Sequence, residues 1–307
     1  MKIFYSDHFV LPLPEGHRFP MVKYSMLRER VSKMQNGVVN ELRVPRAVTD
    51  EEILRAHTPA YLSRVVGGTI SAKEMRRIGF PWTEHMVERS RRASGGTLEA
   101  CHAALEDGLA ANLAGGTHHA FAHRGEGYCI FNDSVIAARA LQREGSVEKI
   151  AIIDTDVHQG NGTAAILEGD DSIFTFSIHG EQNFPFHKER SDLDVPLPDG
   201  ADDGEFLAAL EKGLEMSLDV SGAEMVIYLA GADPFVDDKL GRLSVSKEGL
   251  AERDRLVLES CRGRGIPVVA TMAGGYAKEV ENTVDIHFQT IRCAERLQAR
   301  ERGFTYG

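Results

Sequence analysis

In the stretch KIAIIDTDVHQGNGT, Lys149 to Thr163, acids stand at 154 and 156 and a histidine at 158. On an extended chain, residues two apart point the same way, so Asp156 and His158 share a direction. Carboxylate oxygen with imidazole nitrogen is a ligand set suited to zinc, and Asp233, in LAGAD, offers a third ligand from another segment. Three protein ligands leave a position for water; iron(II), cobalt or manganese would accept the same set. Any one of these residues alone reads as readily as a turn acid or a loop histidine. Asp154 is in phase with Asp156 but deeper along an apolar strand, where a carboxylate needs a charged or hydrogen-bonded partner. It can orient a histidine from behind or ligate a structural cation.

Proton transfer has its own candidates. GGTHHAFAHRGEGYCIFND, Gly115 to Asp133, places His118 beside His119 after two glycines. Adjacent side chains on an extended chain diverge, but a turn at the glycines lets both flank one centre. Imidazoles titrate near neutrality, and two of them differ in basicity when one is backed by an acid and the other by an amide. In MAGGYA, Tyr276 follows two glycines, and its hydroxyl facing a metal could donate to a developing oxyanion.

These segments need elements to hold them. Short apolar, β-branched runs read as strands at Lys2–Tyr5, Lys149–Ile153, Ile173–Ser177, Met225–Ala230 and Pro267–Thr271. Helical patterns alternate with them, the signature of an α/β protein with a mainly parallel sheet. Thr49 with Glu52 can form a capping box. Leu207, Leu210, Leu214 and Leu218 share one helix face, and a helix with Leu250, Leu256, Val257 and Cys261 is closed by GRGIP. Phe80–Gly96 reads as a loop leading into a helix. DTDVH, AGAD and AGGYA each follow an apolar run, and sites in open α/β sheets gather at the carboxyl ends of strands. Residues far apart in sequence are therefore expected to converge.

The 307-residue chain shows no repeat or linker-like shift, so one domain over 1–307 is expected. A net charge of −11 disfavours general nucleic-acid binding. The longest apolar runs are too short to span a bilayer, and MKIFYSDHF does not read as a signal peptide. Four scattered cysteines without a C-x-x-C pair suit a reducing cytoplasm.

The ordered set GGTHHA…GYCIFND, IIDTDVHQGNGT, LAGAD and AGGY resembles the zinc-dependent histone deacetylase superfamily. HQGNG, HRFPMVKY and NFPF…SDLDVPLPDG are most similar to its class IV branch and bacterial relatives. The likeness runs from Tyr5 to about Tyr276. It implies an arginase/deacetylase-like α/β fold with a central, mostly parallel eight-stranded sheet flanked by helices. It implies Asp156, His158 and Asp233 as ligands of one catalytic Zn2+, His118 paired with Asp154, and His119 paired with Asn161, where class I members carry aspartate. The amide would leave His119 the better general base and Asp154 would keep His118 more cationic. The implied reaction is hydrolysis of an acyl-lysine-type amide by metal-activated water, with Tyr276 on the oxyanion. Gly127, Tyr128 and Phe184 or Phe186 would wall the acyl-lysine tunnel. A structural K+ would match Asp154, Ser177 and backbone near Asp156 and His158. Arg18 reads equally as the lining of an acetate exit path or as an ordinary surface arginine. Leu240, where polyamine-selective relatives carry an acid, argues mildly against polyamines and leaves a deacylase of acetylpolyamines or another small amide as the alternative.

An arginase-like ureohydrolase needs an aspartate two residues beyond His158, where this chain has Gly160. A non-catalytic acyl-lysine reader would have little use for the full set of chemical groups. A nucleotide-binding fold is disfavoured because NLAGGTHHA lacks the G-x-G-x-x-G turn.

Overall fold

The structure, a computed structural model, describes residues 1–34 and 40–301. Among the described residues, eight strands form one sheet: β1 (Lys2–Phe4), β2 (Glu41–Arg43), β3 (Leu109–Asn112), β4 (Ile150–Asp154), β5 (Ile173–Gly180), β6 (Leu193–Leu197), β7 (Met225–Leu229) and β8 (Val268–Thr271). Their order is β2-β1-β3-β8-β7-β4-β5-β6, and every pairing is parallel. The helices are α1 (Lys23–Ser32), α2 (Asp50–Ile53), α3 (Pro59–Val66), α4 (Ala72–Ile78), α5 (Glu84–Asp107), α6 (Asp133–Glu144), α7 (Asn161–Leu167), α8 (Asp203–Ser221), α9 (Lys247–Gly263) and α10 (Val280–Glu301).

A sheet buried on both faces needs apolar residues in both phases, and the central strands have them. Ala151, Ile153, Val226 and Tyr228 point into a core shared with α8, α9 and α10. Ile150, Ile152, Ile227 and Leu229 point into the opposite core, built on α5 and α6. Thr49 closes the anticipated capping box with Glu52 at the start of α2. Leu210, Leu214 and Leu218 are buried on α8, and α9 ends at Gly263. The loop before α5 ends at its N-cap, Thr83.

Three strands had no apolar alternation to announce them. β2 is a three-residue edge, ELR; β3 is LAAN; and β6 carries Asp194 and Pro196. β5 runs three residues beyond the expected Ser177, to Gly180. In β3, Asn112 is buried against α5, where a Cβ on Gly96 would lie 2.7 Å from its Oδ1. The mid-helix glycine is what lets strand and helix approach so closely.

The register aligns the strand ends. Asp154 pairs with Leu229, and Leu229 with Thr271. The loops after β3, β8, β7 and β4, four neighbours in the sheet, therefore open side by side, as the strand-end argument requires.

Candidate metal and proton-transfer centre

The loop after β4 carries Asp156 and His158; the loop after β7 carries Asp233. All three are buried, and one ligand atom from each lies within 4.8 Å of the others. Backbone hydrogen bonds lock the carboxylates. Asp156 Oδ1 accepts from His158 N at 3.0 Å, its Oδ2 accepts from Gly274 N at 2.7 Å, and Asp233 Oδ1 accepts from Val157 N at 2.9 Å. A Cβ on Gly274 would strike both Asp233 Oδ2 and Asp156 Oδ2, so that position is restricted to glycine by space.

The donors suit a divalent ion. His158 Nδ1 stands 2.9 Å from Asp156 Oδ1 and 3.2 Å from Asp233 Oδ2, and Asp233 Oδ2 makes no hydrogen bond despite its burial. Burial opposes a charged His158, yet its close contacts with the two aspartates push its pKa up to about 10. Burial and the neighbouring Asp156 charge raise Asp233 to about 7. Such a pocket of two acids and one imidazole calls for a cation, which a proton on His158 supplies only in part.

The two histidines sit beside it with different partners. Asp133 holds their loop by accepting from Gly116 N at 3.0 Å and Thr117 N at 2.7 Å. His118 Nδ1 lies 2.6 Å from Asp154 Oδ2, and His119 Nδ1 lies 2.7 Å from Asn161 Oδ1, the first residue of α7. Burial disfavours the cation at both rings. At His118 the charges of Asp154 and Asp156 overcome it and raise the pKa to about 9. At His119 burial and the cationic neighbours His118 and His158 hold it well below the usual imidazole value. Tyr276 follows β8; burial and the nearby Asp233 and Asp156 charges push its phenol up, so it stays protonated.

An inner cavity of about 50 Å³ touches His118, His119, Asp156, His158 and Tyr276. An outer cavity of about 470 Å³ reaches His119, His158 and Tyr276 from solvent. Gly127, Tyr128, Phe184, Phe186 and Leu240 all line the outer cavity. Phe184 meets the His119 ring edge-on at 5.0 Å, whereas Phe186 is 81% exposed and belongs to the rim.

Arg18 is exposed and lines neither cavity; Arg89 of α5 lines the inner one, its guanidinium 4.8 Å from the centre of the Tyr24 ring. Ser177 is the register partner of Asp154, but its hydroxyl bonds His179 Nδ1 at 3.0 Å. Asp154 Oδ2 meets His118 and its Oδ1 accepts Asp156 N at 3.1 Å, so both carboxylate oxygens have partners. At Gly160 a Cβ would lie 2.6 Å from Asp154 Oδ2, leaving no room for the second-metal aspartate of an arginase-like site.

Asp238 went unread in the sequence. It is buried and accepts from Tyr276 N at 2.6 Å, Leu240 N at 2.8 Å and Gly241 N at 3.0 Å. An aspartate shortly before Leu-Gly is the available signal, since such acids bond backbone two or three residues on.

A model of the histone deacetylase domain matches residues 17–291. The chain belongs to the histone deacetylase family. It is 44% identical to an uncharacterized protein from Picosynechococcus sp., over 95% of this chain and 97% of that one. It is 28% identical to histone deacetylase 2 of Arabidopsis thaliana, over 98% and 81% of the two chains. Among solved structures, an HDAC homolog from Aquifex aeolicus superposes with a TM-score of 0.80 at 25% identity, covering 99% of this chain and 84% of that one. Family membership supports a deacetylase, a hydrolase, as this chain's activity. Among the described residues, no helix is long and apolar enough to cross a membrane.

Proposed function

We propose that the chain, as one catalytic domain over 1–307, is a zinc-dependent amidohydrolase that removes acetyl or longer acyl groups from lysine-type amines. The observation that carries this reading is the juxtaposition of three buried ligands with two histidines of opposite electrostatic bias and one protonated tyrosine. A similar solved structure described as an HDAC homolog complexed with SAHA supports the deacylase reading of the site.

Asp156, His158 and Asp233 would hold the zinc, which supplies Lewis acidity toward the amide carbonyl and toward water. The remaining steps belong to the protein. His119, neutral with its Nδ1–H donating a hydrogen bond to Asn161 Oδ1, takes the proton of the attacking water through Nε2. His118, kept cationic by Asp154, balances the negative charge that develops on the substrate. The Tyr276 hydroxyl donates to the oxyanion, and the proton on His119 passes to the departing amine. Gly127, Tyr128 and Phe184 enclose the aliphatic arm. Arg89, facing the inner cavity, is placed to meet the carboxylate product. The four cysteines are unpaired thiols, in keeping with a reducing cytoplasmic setting.

The test is a panel of acetyl- and longer acyl-lysine peptides and acetylpolyamines, assayed with defined zinc loading. Acetate or longer carboxylate released from the lysine substrates is the expected result. Turnover confined to acetylpolyamines would replace the proposed substrate class.

A further inference from the structure

The outer cavity carries a charge pattern opposite to that of the whole chain. The protein has a formal charge of −11, yet Arg76, Arg77 and Arg242 line the mouth, and Glu126 is the one acid among the described lining residues. Glu126 already faces Arg124 at 3.5 Å, and Arg242 faces Asp199 at 3.1 Å. Arg76 and Arg77 are exposed and make no ion pair among the described residues.

Both arginines belong to the last turn of α4, where cations favour the helix dipole. That benefit does not require them to face the cavity, and they do. Gly127 N donates to Arg77 O at 3.1 Å and Tyr128 N donates to Ile78 O at 2.7 Å, so this turn is tied to the tunnel wall itself. Leu240 fills another part of the mouth with an apolar side chain. A substrate whose amide reaches the buried centre leaves its amine-side remainder at this rim.

We propose that Arg76 and Arg77 select acyl-amines that carry a carboxylate on the amine side of the amide. The inference rests on the deacylase reading of the site. The carboxylate has two sources, acidic residues flanking an acyl-lysine in a peptide or the α-carboxylate of a free acylated lysine.

The experiment measures kcat/KM for acetyl-lysine peptides with Glu, Gln or Lys flanks, and for free Nε-acetyl-lysine against its carboxamide. Wild type is compared with the double variant Arg76→Glu/Arg77→Glu. At low salt the carboxylate-bearing member of at least one set should exceed its counterpart by about five-fold per engaged arginine, as favourable exposed pairs do. The preference should shrink in about 0.5 M salt, where the Debye length falls to a few ångströms, and should invert in the double variant. Preference within the peptides assigns the protein source; preference confined to the free amino acid assigns the small one. Equal rates within both sets, or a ratio unmoved in the variant, would overturn the assignment. Binding of the same ligands, read by fluorescence anisotropy, separates the two claims. Selective binding without acetate release keeps the rim and removes the reaction, whereas release without charge preference does the reverse.

Discussion

The Nδ1 of His119 lies 2.7 Å from the amide oxygen of Asn161, and that oxygen also accepts the Gly162 N–H at 3.0 Å. Two donors on one oxygen fix the orientation of the amide, so His119 carries its proton on Nδ1 and presents Nε2 as a base. A carboxylate at 161 would favour the imidazolium instead. In Asn161→Asp the His119 pKa rises, and a base works only above its pKa. The acid limb of the pH profile of kcat/KM should therefore move up by about one unit, within the range of a paired opposite charge. An unshifted limb would remove His119 as the base.

Tyr276 holds its proton and lines both cavities beside the metal ligands. In Tyr276→Phe, kcat should fall by about two orders of magnitude, the usual loss for one oxyanion donor, with bound zinc unchanged. Stoichiometry by elemental analysis and steady-state rates check this together; a wild-type kcat would take Tyr276 out of that role.

Asp238 gathers three backbone N–H groups, including that of Tyr276. Asp238→Ala leaves all three without this acceptor, at about 1 kcal/mol or more apiece. Unfolding in urea should show a loss of about 3 kcal/mol, with kcat reduced because Tyr276 is no longer held. A loss under about 0.5 kcal/mol, the level of an ordinary surface substitution, would mean that water replaces the carboxylate.

Away from the site, Glu52 combines the capping box with a bidentate bond to Arg46. The Arg46 bond outweighs burial and lowers the Glu52 carboxyl to about 2. A depressed carboxyl stabilises the fold above its ordinary value near 4.5, and that stability is lost as pH falls toward 2. Because the Arg46 side chain is 43% exposed, screening limits the contribution to about 1 kcal/mol. Wild type should exceed Glu52→Gln by that amount at pH 6, with the gap narrowing below pH 4. A gap independent of pH would mean that packing, not charge, sets the effect.

The sequence was most legible where burial and chemistry coincide. β4 and β7 are fully buried, so their unbroken apolar runs announced them, and the residues after them announced the ligands. β2 and β6 were hidden because short outer strands need no apolar alternation; β3 was hidden because LAAN buries small residues and an asparagine. The divergent partners of His118 and His119 depend on Asp154 and Asn161 lying 36 and 42 residues away in sequence, a proximity known from the resemblance and not from spacing. Arg89, in place of Arg18, lines the inner cavity because α5 packs there, a tertiary fact that a charge in sequence does not encode.

The most direct test of the central claim is a zinc titration of metal-stripped protein, with acetate release from an acetyl-lysine peptide read at each step. The account predicts negligible activity in the stripped protein, a linear rise to a plateau at about one zinc per chain, and neither tight zinc binding nor recovery in Asp233→Ala. Full activity in the stripped protein, or in a metal-free Asp233→Ala variant, would contradict it.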